Sequence, residues 1–114
     1  MAQNKETSRY LDVSDRVTLH YSDHPASGPE QGVVVFIHGS GPGASGWSNF
    51  KYNVEAFQNA GYRGIVFDQP GYGLTSKPQD VDHTLDFFVE NLMGLLNALD
   101  IAKATLVGNS LGGA

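Results

Sequence analysis

Three short apolar runs constrain the fold of this chain more than any other feature. Val33 to Ile37 is unbroken, rich in β-branched residues and closed by glycines. Arg63 to Asp68 and Ala104 to Val107 read as two further buried strands. Short continuous apolar runs are strands covered by protein on both faces. The segments between them carry the helical period instead. Trp47, Phe50, Val54 and Phe57 recur at three- and four-residue spacing, which predicts a helix from about Trp47 to Ala60, with Gly61 as its stop. Leu85, Phe88, Val89, Leu92, Leu95, Leu96 and Leu99 form one apolar stripe. They predict a second helix from about Thr84 to Leu99, with Asp82 or Thr84 capping its start. Strands alternating with helices in this way imply an α/β fold: a mostly parallel sheet with helices on both faces.

The flanking segments fit around that unit. Residues 9–13 and 17–21 alternate apolar and polar about Ser14-Asp15, which reads as a hairpin with one face buried. His24 to Gly32 is rich in turn residues, and Gln69 to Val81 is a long loop carrying Pro70, Gly71, Gly73 and Pro78. Residues 1–8 read as a loose tail.

Bulk properties narrow the function. A length of 114 residues suits about one domain. Twelve acidic against seven basic side chains give a net charge of −5, the wrong sign for a protein that tracks phosphates, so no nucleic-acid partner is expected. The absence of cysteine excludes disulfides, thiolate catalysis and cysteine-ligated zinc. Met1 to Tyr10 is polar, without the apolar core of a secretory signal, and no run approaches the ~20 apolar residues of a membrane span. The expectation is a soluble, cytoplasmic protein that does not associate with membranes.

Two glycine-rich turns carry the chemistry, and both follow buried strands. Ligands of open α/β sheets bind outside the carboxyl ends of the strands. Gly108-Asn109-Ser110-Leu111-Gly112 sets a serine between two glycines, after a strand and before helix-compatible residues. That is the pattern of a nucleophile elbow, where a strained bend projects the serine oxygen from the sheet edge. The flanking glycines leave room where side chains would collide. The Leu111 amide then points at a developing oxyanion. An ordinary serine in a glycine-rich turn is the bland alternative, and the strand-to-helix context weighs against it.

The second turn, His38-Gly39-Ser40-Gly41-Pro42-Gly43, stands where the other oxyanion amide should come from, with Ser40 and Gly41 as donors by position. It lacks the Gly-Lys-Ser/Thr ending of a phosphate loop and the spacing of a dinucleotide site. Asn49 and Asn109 lie beside the two turns and are candidates for binding substrate. Their bland roles are a first-turn helix residue and a tolerant turn residue.

His38 reads as a structural histidine that supports its loop, because nucleophile, acid and base follow in the order Ser, Asp/Glu, His in folds with such an elbow. Every histidine of this chain precedes Ser110. Asp68 is expected to hold the Pro-Gly loop that follows it. Trp47, Phe50 and the leucine stripe read as core, and Tyr72 is open to either role. Asp80, Asp82 and Asp86 read as a solvated cluster whose spacing matches no calcium loop.

At these residues the chain resembles the meta-cleavage product hydrolases, α/β-hydrolase-fold enzymes that cut carbon–carbon bonds in ring-fission products of aromatic degradation. The resemblance rests on His38-Gly-Ser-Gly-Pro-Gly-Ala-Ser-Gly-Trp-Ser-Asn49, Asn59-Ala-Gly-Tyr-Arg63, Asp68-Gln-Pro-Gly-Tyr-Gly73 and Val107-Gly-Asn-Ser-Leu-Gly-Gly113, and runs from about Tyr10 to the last residue. It implies Ser110 as nucleophile and the amides of Ser40 and Leu111 as oxyanion hole. Ser40, Gly41, Asn49 and Asn109 would contact the dienoate end of a small-molecule substrate. No cofactor or metal is implied, and the full-length enzyme would be a homo-oligomer.

The family's acid, base, cap domain and carboxylate-binding arginine lie downstream of any position here. Residues 1–114 are therefore expected to be the N-terminal part of a single α/β-hydrolase core, ending just after the elbow and inactive alone. After Gly73 the chain departs from the family with Leu74-Thr75-Ser76-Lys77. A carboxylesterase or lactonase of the same fold, or a non-catalytic remnant, are the alternatives.

Overall fold

A computed structural model describes residues 8–39, 43–79 and 82–109. Five strands form one sheet in the order β1-β2-β4-β3-β5. β1 (Ser8–Asp12) and β2 (Thr18–His24) are the antiparallel hairpin, closed where the Ser14 hydroxyl accepts from the amides of Arg16 and Val17. β2 then pairs antiparallel with β4 (Tyr62–Phe67). β3 (Gly32–Ile37) lies parallel between β4 and β5 (Thr105–Gly108). β2 runs on to His24, three residues past its sequence-predicted end, because those residues pair with β4.

β3 and β4 are covered on both sides, as expected, whereas β5, expected to be buried likewise, pairs on one side only and leaves Leu106 51% exposed. On one face Val35, Ile37, Ile65 and Phe67 pack with Val17, Leu19 and Leu95. On the other Val34, Phe36 and Val66 pack with Phe50 and Val54. Alternate residues of β3 and β4 thus feed two separate cores, one under α3 (Leu85–Ala98) and one under α1 (Gly46–Phe50) and α2 (Val54–Asn59).

Two helix expectations need correction. The segment predicted as one helix from 47 to 60 is two, α1 and α2. The ladder breaks where the Asn53 amide bonds back only three residues, to the Phe50 carbonyl. Phe50 and Val54 still face the same core, so the apolar spacing runs straight through the break and conceals it.

The second correction concerns the roll of α3. Its expected stripe included Leu85 and Val89, yet these are 54% and 48% exposed, whereas Asn91 is buried. The inward face is Phe87, Asn91 and Leu95, with Leu92, Leu96 and Leu99 beside it. Gly94 lies against the hairpin. A β-carbon there would sit 3.2 Å from the Val13 side chain, so the glycine lets the helix rest closely on the hairpin. Asn91 tolerates burial because its amide donates to the Phe87 carbonyl one turn back. Thr84, not Asp82, caps the helix, its hydroxyl accepting from the Phe87 amide. Among the described residues no helix is long and apolar enough to cross a membrane.

Candidate active site

The parallel pairing of β3 with β5 sets Ile37 beside Gly108, so the two strands that lead into the glycine-rich segments end side by side. The Asn109 amide continues the ladder by donating to the Ile37 carbonyl at 3.1 Å. One side chain then ties the two exits together. Asn49 Oδ1 accepts from the Gly39 amide and from Asn109 Nδ2, each at 3.0 Å. Asn49 and Asn109, only neighbours of the motifs in sequence, are thus in contact. Ser110, Leu111, Ser40 and Gly41 lie outside the described residues; the residues that lead into them, Gly39 and Asn109, are the ones Asn49 holds.

Asn49 is itself held from below. Ser45 caps α1, its hydroxyl accepting from the Ser48 amide while Ser48 Oγ accepts from the Ser45 amide. The Gly46 amide donates to Asp68 Oδ1 at 2.8 Å. Gly46 packs against the end of β4, where a β-carbon would collide with the Phe67 carbonyl and the Val66 side chain. Only glycine lets the helix begin there, and the start of the helix fixes where Asn49 points.

Asp68 is the hub of this arrangement. It is buried and also accepts from His20 Nδ1 at 2.9 Å and from the Leu74 amide at 3.0 Å. Its carbonyl accepts from the Thr75 hydroxyl, whose oxygen in turn accepts from the His20 amide. Burial pushes the Asp68 carboxyl up, but the hydrogen bond from His20 and those from the Leu74 and Gly46 amides outweigh it and hold the group below the ordinary carboxylate range. The expected role of Asp68, holding the loop after it, is what it does. Its second grip, on the first turn of α1, carried no sequence signal. Thr75 and Ser76, part of the departure after Gly73, anchor the same loop to β2, Ser76 Oγ accepting from the Thr18 amide.

His38 is fully buried and both ring nitrogens are committed. Nδ1–H donates to the Gly39 carbonyl at 2.7 Å, and Nε2 accepts from the Gln69 amide at 2.9 Å. The backbone partners fix the tautomer. Burial lowers the imidazole's affinity for a proton, against weaker opposing contributions from the Gly39 carbonyl and Asp68. The ring is a neutral strut between the β3 and β4 exits, as expected of a structural histidine. Gln69 completes the strut by donating from Nε2 to the His38 carbonyl, a role its sequence position did not reveal. Tyr72 settles edge-on against the His38 ring, 5.1 Å between centroids.

The other histidines are likewise engaged. His20 spans Asp68 and Ser8, His24 bonds Ser22 and stacks on Trp47, and His83 reaches the Pro78 carbonyl. Phe50 lies in the core, as expected, and Trp47 is partly buried against it. Among the described residues no three His, Cys, Asp or Glu side chains gather as a metal site would need.

The family model of the alpha/beta hydrolase fold matches residues 32–114. A 2-hydroxy-6-oxononadienedioate/2-hydroxy-6-oxononatrienedioate hydrolase of Paraburkholderia phymatum is 46% identical over 94% of this chain and 37% of its own. The enzyme of the same name from Burkholderia vietnamiensis is 44% identical over the same shares. Among solved structures, the meta-cleavage product hydrolase of Pseudomonas fluorescens IP01 superposes with a TM-score of 0.82 and 34% identity, over 96% of this chain and 38% of that one. The chain thus spans a little over a third of the length of the relatives it matches. The family model covers well over half of the chain: this chain belongs to the α/β-hydrolase fold family.

Proposed function

We propose that the protein carrying this chain hydrolyses a carbon–carbon bond in a small ring-fission product of the 2-hydroxy-6-oxo-hexa-2,4-dienoate type, with Ser110 as nucleophile. One observation supports this most: Asn49 bonds both Gly39 and Asn109, the residues that precede Ser40 and Ser110 in the chain. In this reading the substrate tautomerises to its keto form. The Ser110 hydroxyl adds to the ketone carbonyl as its proton passes to a histidine downstream. The amides of Ser40 and Leu111 stabilise the oxyanion. Collapse breaks the C–C bond, the departing carbanion is protonated to a 2-hydroxypentadienoate, and water releases the acyl group as an acid. Ser40 and Gly41 line the dienoate end.

The engagement of all four histidines by other groups supports a base from outside this chain. Activity then belongs to the longer polypeptide, and residues 1–114 alone are inactive. A cytoplasmic location and a homo-oligomeric assembly accompany this reading through the family resemblance.

The same nucleophile and oxyanion amides also serve esters, so substrate preference is the test. The complete product of the reading frame should process a chromogenic dienoate with kcat/KM at least about 100-fold above that for a p-nitrophenyl ester, a gap of about 2.7 kcal/mol. The reverse preference would make it a carboxylesterase or lactonase.

A further inference from the structure

Asn49 is expected to face substrate, but its hydrogen bonds assign it a different task. The Gly39 amide can only donate, so the Asn49 atom facing it at 3.0 Å is the carbonyl oxygen. That oxygen can only accept, so the Asn109 atom 3.0 Å away is the amide nitrogen. Both amide orientations follow from the backbone partner alone. Two donors fill both lone pairs of Asn49 Oδ1, which leaves that atom no capacity for a ligand.

The two donors are informative. Gly39 precedes Ser40, and Asn109 precedes Ser110. Asn49 does not swing freely between them. Its own amide donates to the Ser45 carbonyl, Ser45 and Ser48 form a reciprocal cap, and the first turn is bonded to buried Asp68 through Gly46. The oxygen therefore sits at a fixed place between the two turns.

From this the geometry points to Asn49 as a positioning residue of the oxyanion hole, its carbonyl oxygen setting the separation between the segment that bears Ser40 and the segment that bears Ser110 and Leu111. The inference rests on the reading that the Ser40 and Leu111 amides form that hole. An oxyanion hole works only when its donors are already in place as charge develops, and a displacement of about 1 Å costs on the order of 100-fold. Removal of the bracket should therefore act on the transition state and leave ground-state binding nearly untouched.

The test is a double-mutant cycle in the complete product of the reading frame, with Asn49→Ala, Asn109→Ala and the double variant. Each is assayed on a dienoate and on a p-nitrophenyl ester, with folding checked by thermal melt. Asn49→Ala should lower kcat about 10- to 100-fold on both substrates and keep KM within about threefold. The double variant should lose no more than about threefold beyond Asn49→Ala, because both changes break one connection. A raised KM with unchanged kcat, or losses that multiply, would overturn the positioning role in favour of direct substrate contact.

Should Asn49→Ala not fold, Asn109→Ala decides alone. It removes one donor and leaves α1 and the Gly39 bond intact, so a fall in kcat at constant KM supports the bracket and a raised KM at constant kcat overturns it. The ester arm separates the two readings. Wild-type turnover of the ester without the dienoate ends the C–C proposal, and the same variants on the ester still decide the role of Asn49.

Discussion

At Asp68, one carboxylate accepts from a histidine ring and from two backbone amides that belong to different segments. Its replacement by alanine leaves His20 Nδ1 and the Gly46 and Leu74 amides without that acceptor. Loss of one partner from a buried charged network costs about 3–5 kcal/mol, mostly the desolvation of what remains. Urea unfolding of Asp68→Ala should show a loss of that order, and Asp68→Asn should recover part of it by keeping one acceptor oxygen. An Asp68→Ala midpoint equal to wild type would mean the hub holds nothing. Because native contacts depress this carboxyl, its contribution is present above the unfolded value of about 3.9 and fades as pH falls through the lower native value.

At the scale of elements, the roll of α3 separates two leucine-stripe positions that the sequence treats alike. Leu95 is fully buried in the core beneath the sheet, and Val89 is about half exposed. Leu95→Ala should cost about 2–5 kcal/mol and Val89→Ala under about 1 kcal/mol, by thermal or chemical unfolding. Equal costs would contradict the observed face.

This is also where sequence reading reached its limit. Strands were legible because β3 and β4 are buried on both faces, so composition alone marked Val33 to Ile37 and Arg63 to Asp68. The structural role of His38 was legible because the order of catalytic groups left it no other. The break between α1 and α2 was not, since Phe50 and Val54 keep the helical spacing across it. Nor was the roll of α3, which sets Gly94 close against Val13 beside the distant hairpin. At the candidate site, the bond between Asn49 and Asn109 spans 60 residues, and no local pattern encodes it.

Across the whole molecule, burial of two neutral histidines gives stability a definite pH dependence. Burial lowers the proton affinity of His38, and it does the same at His24 against a weaker opposing effect of Asp23. Below about pH 6.5 the unfolded chain takes up protons that the native rings resist. The unfolded state then binds more protons, so stability rises with pH through this window and falls as pH drops below it. The melting temperature should decline between about pH 7.5 and pH 5.5, and His38→Gln should flatten that decline. A midpoint that rises on acidification would reverse the sign and refute the neutral-strut assignment.

The proposed role of Ser110 as nucleophile is most directly tested by covalent trapping. The complete product of the reading frame is treated with a fluorophosphonate, digested, and its adduct mapped by mass spectrometry. One adduct per chain on Ser110 is expected, absent from Ser110→Ala, with kcat on the dienoate falling about 10⁴-fold or more in that variant. An adduct on another serine, or dienoate turnover that survives Ser110→Ala, would contradict the assignment of the 108–112 turn as the nucleophile elbow.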